Sequence, residues 1–451
     1  MLTYELKKLP GQPLYESLYR ALRDDILSGK LPADYKLPSK RALSDHLEIS
    51  KITVENAYGQ LLAEGLIRSV ERGGYFVEPV HRLPPARTIA AVPTQKSAQF
   101  VDLTGGSTVG FPFSVWSRLQ REVLRDLGDQ LLQPVPNQGL FELRQAIAEH
   151  LAQFRGMVVD PDAIIIGAGT DFLYNLVIQL LGTDKLYALE EPGYSKIRQI
   201  YEAAGASCTE AVMDSRGVLP GCLENAQVLH LSPSHHFPTG IITPMSRRQE
   251  LLQWVTEGAD RFIIEDDYDS EFRVDARPMR SIYALNAGHR VIYMNTFSKT
   301  LAPSIRIGYM LLPPELKAVF DKKLGFYSCT VSCFEQHTLA RFISRGFFEQ
   351  HLGRMRKNYR STRNSVLKLI SRLPVTVLEE NAGLHFIVKT NLTDEEVETR
   401  CREAGFRVRT LSSFYHGTVP DSARGCIVIS YAGLTAEDLE ALDRKIETLT
   451  N

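Results

Sequence analysis

The hydrophobic positions of the first eighty residues predict three helices and a hairpin. Leucine and isoleucine recur every four residues from Leu14 to Ile26, which marks the buried face of one helix. Ser39 and Ser50 each stand where a side-chain oxygen can cap a further helix. Two short apolar runs joined by a pair of glycines then predict the hairpin. Two short helices joined by a tight turn and followed by a hairpin are typical of a winged helix-turn-helix, an architecture that docks on DNA.

Residues 100–451 show a different pattern, in which short continuous apolar runs end in polar clusters. Such runs precede the clusters at residues 167–170, 232–240, 265–268 and 295–299. Continuous apolar runs suit strands that are buried on both faces, and helical segments lie between them. The alternation predicts an α/β domain with a mostly parallel sheet and helices on both faces. Ligands of such sheets bind beyond the carboxyl ends of the strands, where the polar clusters fall.

A proline- and alanine-rich stretch at residues 79–99 separates the two patterns. It contains no apolar period, and a structureless loop of about 20 residues is unusual inside a compact domain. We therefore expect a linker between a DNA-binding domain at residues 1–78 and a larger domain at residues 100–451. A long surface loop inside one domain is the alternative.

Composition narrows the class of protein. The chain has 451 residues, of which 44% are hydrophobic, and a formal net charge of −1, so it shows no overall preference for nucleic acid or membrane. Six cysteines are too few for a disulfide scaffold and their spacing completes no zinc pattern, so we expect reduced thiols and no metal. The chain shows neither a stretch long and apolar enough for a membrane span nor the core of a signal peptide, and we expect a cytoplasmic protein.

The exposed start of the third helix holds side chains that are expected to face DNA. Ser50, Lys51 and Thr53 occupy positions from which a recognition helix reaches base edges and phosphates. Lys40 and Arg41 open the preceding helix and could hold the DNA backbone. The domain contains eleven basic and eleven acidic residues, which is less basic than is usual for a DNA-binding domain. A helical dimerisation module with a solvated charged face is the alternative.

Five residues of the large domain together predict a binding site for pyridoxal phosphate. Lys299 follows a buried strand, and a desolvated lysine can form a Schiff base. Asp266 could pair with a pyridinium nitrogen, and Tyr194 could stack on a planar ring. Thr170 at a helix start and the guanidinium of Arg306 could hold a phosphate. Each residue alone more often has an ordinary surface or turn role, so the prediction depends on their combination.

Sequence motifs in the first domain resemble those of GntR-type winged-helix proteins. The matching segments are residues 37–43, 49–54, 58–67 and 73–77. The resemblance implies that DNA is contacted by Arg41, Ser50, Lys51, Thr53, Arg72 and Gly73. Glu55 stands where some GntR-type proteins place an arginine toward the DNA, so their base preference does not transfer to this chain.

Residues 100–449 resemble the fold-type I pyridoxal-phosphate enzymes of the aspartate aminotransferase group. The most specific segment, residues 298–309, is similar to the motif that contains the cofactor lysine and a phosphate-binding arginine. The resemblance implies that Lys299 forms the internal aldimine, and it implies a smaller C-terminal α/β subdomain at roughly residues 325–451. The cofactor-binding residues that it implies are Gly169, Thr170, Tyr194, Asp266, Tyr268, Thr296, Ser298, Lys299 and Arg306.

The chain departs from the aminotransferase pattern at two positions. Phe237 replaces the asparagine that contacts the ring hydroxyl. His235 or His236 could substitute for that asparagine or could have a structural role. Val428 replaces the arginine that binds the substrate carboxylate, and Lys196 could supply a cation instead.

A GntR-type domain joined through a linker to an aminotransferase-like domain resembles the MocR/GabR-type regulators. The resemblance implies a homodimer that binds double-stranded operator DNA and responds to an amine or amino acid by exchange at Lys299. A ligand can shift such a regulator only by its differential affinity for two states. Two alternatives stay open. One is an active aminotransferase with an accessory DNA-binding module, and the other is a constitutive DNA-binding protein that dimerises through an inactive enzyme fold.

Overall fold

The structure of the protein is a computed structural model. The residues that it describes are 2–4, 6, 13–79, 100–105, 110–272, 279–285, 289–378 and 383–449. The chain divides into two compact units, residues 1–96 and residues 97–451. Of the predicted linker at residues 79–99, only Pro79 belongs to the described residues.

The described part of the N-terminal unit contains the three predicted helices and the predicted hairpin. These elements are α1 (Leu14–Ser28), α2 (Lys40–Leu47), α3 (Lys51–Ala63), β1 (Ile67–Val70) and β2 (Gly74–Val77). Both predicted caps are confirmed, because Ala42 N donates to Ser39 Oγ and Thr53 N donates to Ser50 Oγ, each at 3.1 Å. The tight turn between α2 and α3 places Glu48 in the left-handed region at φ 52°.

One apolar core fixes these elements against each other. Leu22 of α1 and Tyr58 of α3 are fully buried, as is Leu43 of α2. Burying a side chain of this size contributes roughly 1.5–3 kcal/mol. The Tyr58 hydroxyl donates to Pro38 O at 2.9 Å, so its polar end is also satisfied. Because the apolar stripe of α3 faces this core, the opposite face of the helix is left for solvent or a ligand.

The large unit alternates helices and strands. Its strands are β3 (Val101–Asp102), β4 (Ile164–Gly167), β5 (Leu186–Glu191), β6 (Ser207–Asp214), β7 (Gly217–Val218), β8 (Val228–Leu231), β9 (Phe262–Asp266), β10 (Val291–Thr296), β11 (Gly308–Leu311), β12 (Thr376–Leu378), β13 (His385–Lys389), β14 (Phe406–Arg407), β15 (Arg409–Thr410) and β16 (Cys426–Ser430). Its helices are α4 (Phe113–Leu127), α5 (Phe141–Arg155), α6 (Thr170–Leu181), α7 (Ser195–Ala203), α8 (Met245–Glu257), α9 (Ile282–Leu285), α10 (Pro314–Leu324), α11 (Cys333–Ser344), α12 (Phe347–Ile370), α13 (Asp394–Ala404) and α14 (Ala436–Lys445).

The main sheet is mixed but mostly parallel, as predicted. Its strands follow the order β4-β11-β10-β9-β8-β5-β6-β7. The strands from β10 to β6 pair in parallel, whereas β11 and β7 run antiparallel to their neighbours. Ile263 and Ile264 are adjacent in β9 and point to opposite faces, where Ile263 packs with residues of α8 and Ile264 with residues of α6. Helices therefore cover both faces.

The direction of these strands determines where a ligand can bind. Gly167, Glu191, Asp266 and Thr296 end strands that run the same way. Their side chains and the loops that follow them therefore meet at one edge of the sheet. The predicted cofactor residues lie at or just beyond these strand ends, except Arg306, which precedes β11, an antiparallel strand that begins at the same edge.

A second, antiparallel sheet lies in the C-terminal part of the large unit. Its strands follow the order β12-β13-β16-β15. Beside it, β3 at the start of the unit pairs with β14, with Val101 opposite Phe406. Helix α11 lies within residues 325–451 but packs against α4 and α5. The neighbour of the smaller sheet, β3, therefore comes from the opposite end of the large unit.

No helix among the described residues is long and apolar enough to cross a membrane. The six cysteines are free thiols.

Candidate functional site

A cleft of about 530 Å³ lies at the carboxyl ends of the parallel strands. The predicted cofactor residues that line it are Thr170, Tyr194, Asp266, Tyr268, Thr296, Ser298, Lys299 and Arg306. The remaining predicted residue, Gly169, precedes Thr170 at the amino end of α6. The fold therefore brings together residues that are far apart in the sequence.

Asp266 is a buried acid with one oxygen left without a partner. It ends β9 and is 4% exposed. The Tyr174 hydroxyl donates to its Oδ2, and His230 Nε2 lies 3.6 Å from the same oxygen. Its Oδ1 is buried without a hydrogen-bond partner among the described residues. Because an unpartnered buried carboxylate oxygen is costly, this atom is suited to accept a hydrogen bond from a protonated ring nitrogen.

Lys299 follows β10 and extends into the same cleft. Its Nζ donates to Gly105 O at 3.3 Å. Burial lowers the pKa of this ammonium group, and the carboxylate of Asp269 opposes that shift. A lowered pKa increases the fraction of neutral amine, which is the form that attacks a carbonyl carbon.

The amino end of α6 and Arg306 form a cradle for an anion. No side chain caps the first N–H groups of α6, and Gly169 before it has φ 82°. Arg306 Nη2 donates to Ala168 O and to Asp171 Oδ2, each at 3.2 Å. A Cβ at position 169 would lie 2.6 Å from Arg306 Nη2, so glycine is needed for this approach. Free helix N–H groups beside a guanidinium suit a phosphate.

Hydroxyl groups and an aromatic ring complete the lining. Thr296 Oγ1 donates to Ser298 Oγ at 2.9 Å and accepts from Ser298 N at 3.2 Å. Tyr194 is 42% exposed, and its ring meets Phe237 edge-on with centroids 6.1 Å apart. Tyr268 Oη lies 3.2 Å from His235 Nδ1. The exposed ring of Tyr194 therefore remains able to stack on a planar ligand.

The two histidines near Phe237 have partners of their own. His235 Nδ1 lies 2.7 Å from Asp269 Oδ2. His236 Nδ1 lies 2.7 Å from Thr239 Oγ1, and burial lowers the pKa of His236 to about 3. Both rings are buried and lie outside the lining of the cleft. These contacts favour the structural role over substitution for the missing asparagine.

The position of the missing carboxylate arginine is apolar in this chain. Val428 in β16 is 3% exposed and packs with Leu411 and Phe414. Lys196, the cation considered as a substitute, donates to Asp171 Oδ2 at 2.7 Å. The charge of Lys196 is therefore already compensated.

Sequence reasoning missed several polar residues of the cleft, among them Tyr174, Glu190 and Asp269. Ser232 N donates to Glu190 Oε2 at 2.8 Å, and burial raises the pKa of Glu190 to about 8. Tyr174 lies one helical turn after Thr170, so helical periodicity places both on one face. Glu190 and Asp269 lie at or after the carboxyl end of a strand, which is a signal that could have identified them.

The predicted DNA contacts lie around the start of α3 and in the hairpin. Ser50 Oγ and Thr53 Oγ1 are 2.8 Å apart, and both take part in the cap of α3. The exposed predicted contacts are Arg41, Ser50, Lys51 and Arg72, and Gly73 lies in the hairpin turn. Ile52, which was not predicted, is 68% exposed between Lys51 and Thr53. An exposed isoleucine at the start of a recognition helix suits contact with a thymine methyl group.

Lys40 forms an ion pair with Glu55 of the neighbouring helix α3. Its Nζ lies 2.7 Å from Glu55 Oε1 and 5.5 Å from the centroid of the Tyr75 ring. The hydrogen bond from Lys40 lowers the pKa of Glu55, and the same contact raises the pKa of Lys40. Lys40, at the start of α2, therefore carries its own counter-charge.

These features of the large unit fit the chemistry of pyridoxal phosphate. An unpartnered carboxylate oxygen suits the ring nitrogen, and a helix start beside an arginine suits the phosphate. A desolvated lysine suits the aldehyde. All of these groups face one cleft.

The sequence matches two protein families. Residues 100–446 match "Aminotransferase class I and II", and residues 14–77 match "Bacterial regulatory proteins, gntR family". The aminotransferase family depends on pyridoxal phosphate. A gntR-type DNA-binding domain followed by an aminotransferase domain defines a class of transcriptional regulators.

Relatives of known name match both parts of the chain. The HTH-type transcriptional regulator YdeL of Bacillus subtilis (strain 168) is 36% identical over 449 residues, which cover 96% of each chain. The probable rhizopine catabolism regulatory protein MocR of Rhizobium meliloti is 32% identical over 454 residues, 94% of this chain and 90% of that protein. The chain belongs to the MocR-type family of HTH-type transcriptional regulators, as the sequence motifs predict.

The large unit also resembles solved aminotransferases. The kynurenine aminotransferase of Pyrococcus horikoshii superposes with a TM-score of 0.69 at 24% identity, covering 78% of this chain and 91% of that chain. This likeness shows the fold, and it confirms the predicted fold class of the large unit.

Proposed function

We propose that the protein regulates transcription in response to an amine or amino acid that it recognises through pyridoxal phosphate bound at Lys299. The observation that carries this proposal is the meeting of Lys299, Asp266, Arg306 and the amino end of α6 at one cleft. When bound, pyridoxal phosphate supplies an aldehyde carbon that condenses with primary amines and a ring that withdraws electrons.

The cleft residues have separate roles in this proposal. The first N–H groups of α6, the Thr170 hydroxyl and the Arg306 guanidinium bind the phosphate. Asp266 keeps the ring nitrogen protonated, and the hydrogen bond from Tyr174 orients that carboxylate. Tyr194 would supply an aromatic ring that stacks on the cofactor ring. Together these residues would hold the cofactor in the cleft that Lys299 also lines.

Lys299 would hold the cofactor through its amine, and an effector amine would compete with it for the same aldehyde carbon. Burial lowers the pKa of its ammonium group, so a larger fraction is neutral at physiological pH than for a solvated lysine. When it is not bonded to the cofactor, the amine of Lys299 could accept a proton within the cleft. Binding of an effector amine would therefore change both what fills the cleft and the charge of Lys299.

The DNA-binding unit supplies the output of the regulator. We include all seven predicted contacts, Lys40, Arg41, Ser50, Lys51, Thr53, Arg72 and Gly73, in the proposed DNA interface. The large unit exposes Phe113, Leu132 and Phe326, each 74–76% exposed, and large apolar side chains on a surface favour a protein partner. This exposure supports a homodimer, in which two DNA-binding units engage two half-sites.

A second candidate, an active aminotransferase with an accessory DNA-binding module, is favoured by the complete set of Lys299, Asp266 and Arg306. Sustained production of a keto acid from an amino acid would support it. The apolar residue at Val428 counts against it.

The covalent site is tested by reductive trapping. Purified protein is incubated with pyridoxal phosphate, treated with sodium borohydride, digested and analysed by mass spectrometry. We expect the pyridoxyl label on the peptide that contains Lys299 and its loss in Lys299→Ala. Lys196→Ala is the matched control, because Lys196 lines the same cleft but pairs with Asp171. Equal labelling of Lys196, or no specific label, would refute the proposed site.

A further inference from the structure

The cations that line the cleft differ in whether a carboxylate already compensates them. Lys196 and Arg306 both contact Asp171, at 2.7 and 3.2 Å. Arg198 pairs with Glu210 at 3.0 Å. Apart from the cofactor lysine, Arg409 is the one Lys or Arg of the cleft whose side chain forms no hydrogen bond or ion pair with another described residue.

Arg409 stands directly beside the position of Val428. It lies in β15, and its antiparallel partner in β16 is Val428. Directly opposed residues of an antiparallel pair project from the same face of the sheet. The side chain of Arg409 therefore emerges where Val428 offers no polar atom.

The surroundings of Arg409 hold its side chain without neutralising its charge. The guanidinium carbon lies 4.3 Å from the centroid of the Phe414 ring, a cation–π contact. Phe414 and Val428 belong to one buried apolar cluster. A guanidinium that is stacked on an aromatic ring loses little conformational freedom when it binds an anion, and its donors match a carboxylate in pairs.

We propose that Arg409 binds the carboxylate of the effector, so that the effector is an amino acid rather than an amine without a carboxylate. This inference rests on the proposed function, because it requires the effector amine to react in the same cleft. The phosphate of the cofactor is bound by the separate cradle of α6 and Arg306, which leaves Arg409 for a second anion. The carboxylate is that of an α-amino acid or one placed further along the effector chain.

The test uses stable reduced adducts of the cofactor. Cofactor-free protein is titrated with N-(5'-phosphopyridoxyl) derivatives of L-alanine, β-alanine and ethylamine, and the dissociation constants are measured by calorimetry. The first two probes carry a carboxylate at different distances, and the third carries none. The variants are Arg409→Gln, Arg409→Lys and the matched control Arg424→Gln, since Arg424 is exposed and lies outside the cleft lining.

We expect wild-type protein to bind at least one carboxylate adduct roughly tenfold or more tightly than the ethylamine adduct. Arg409→Gln should remove most of that preference and leave the ethylamine adduct unaffected. Arg409→Lys should keep part of the preference, and Arg424→Gln should keep all of it. Preference for the alanine or the β-alanine adduct would show which position of the carboxylate Arg409 serves.

Two results would overturn the inference while leaving the proposed cofactor site intact. The first is equal binding of all three adducts by wild-type protein, and the second is a carboxylate preference that persists in Arg409→Gln. Weaker binding of the ethylamine adduct by Arg409→Gln would assign Arg409 a structural role instead. Failure of all three adducts to bind wild-type protein would refute the proposed function itself.

Discussion

Replacing Glu55 by glutamine is expected to strengthen DNA binding. Glu55 Oε1 lies 2.7 Å from Lys40 Nζ, so the carboxylate compensates a cation at the proposed DNA interface. It also places a negative charge on α3 in the part of the helix where phosphates would approach. Glu55→Gln removes that charge while keeping a side chain of the same size.

The magnitude follows from the number of phosphates that the interface neutralises. The logarithm of the association constant for DNA falls linearly with the logarithm of the salt concentration, with a slope of about −0.9 for each phosphate that the protein neutralises. Freeing Lys40 adds one such contact, so the slope should become steeper by about 0.9. Between about 50 and about 200 mM salt this corresponds to an additional three- to fourfold loss of affinity, starting from a tighter complex at low salt.

The assay is fluorescence anisotropy on the duplex upstream of the protein's own reading frame, with a scrambled duplex, at several salt concentrations. Lys40→Gln leaves the Glu55 carboxylate uncompensated at this face, so it should weaken binding without making the slope steeper. Asp24→Asn is the matched control, since it removes one exposed carboxylate from α1, outside the proposed DNA face. Unchanged affinity and slope in Glu55→Gln and Lys40→Gln would refute the assignment of this pair to the DNA interface.

Three further substitutions test other parts of the structure. Gly169→Ala should weaken pyridoxal phosphate binding roughly tenfold or more in a cofactor titration, because the new Cβ would lie 2.6 Å from Arg306 Nη2 at a residue with φ 82°. In Glu190→Gln the pH dependence of unfolding should change. Burial raises the pKa of Glu190 from 4.5 to about 8, so the free energy of unfolding of the wild type falls as pH rises through this window. Glu190→Gln cannot ionise and should not show that fall when unfolding by urea is measured at several pH values. Gly59→Ala should stabilise the N-terminal unit by roughly 0.5–1 kcal/mol in thermal unfolding, because Gly59 lies inside α3 and a Cβ there meets nothing within 4 Å.

Each of these substitutions has an outcome that would contradict its reasoning. Unchanged cofactor affinity in Gly169→Ala would show that Arg306 does not depend on the glycine. Parallel pH profiles for the wild type and Glu190→Gln would show that the buried acid is not protonated as its burial implies. A loss of stability in Gly59→Ala would mean that the position is more crowded than the structure shows.

The N-terminal unit is largely predictable from sequence because its signals are local. Ser39 and Ser50 each accept a hydrogen bond from the N–H three residues later, so the helix starts follow from short-range chemistry. The pairing of Lys40 with Glu55 joins two helices, and their relative placement is not encoded in the spacing of either helix. The sequence therefore indicates the proposed contacts but not which cation is already compensated.

The large unit shows the same division between local motifs and long-range contacts. The motif around Lys299 and the polar clusters at the strand ends indicate the cleft. The hydrogen bond from Tyr174 to Asp266 joins residues 92 positions apart, so only the folded sheet and its covering helix bring them together. The strand that contains Arg409 has two residues, which is too short to show a periodic pattern. Its position opposite Val428 becomes apparent only from the register of the second sheet.

The most direct test of the central claim is whether the state of the cleft changes DNA affinity. Wild-type protein loaded with pyridoxal phosphate is compared with protein loaded with N-(5'-phosphopyridoxyl)-L-alanine, by anisotropy at one stated salt concentration. The upstream duplex and a scrambled duplex are the two DNA probes. The account predicts a preference for the upstream duplex and a different affinity for it in the two loaded states. Equal affinity in both states would contradict sensing through the cleft, and equal binding of both duplexes would contradict control at this site.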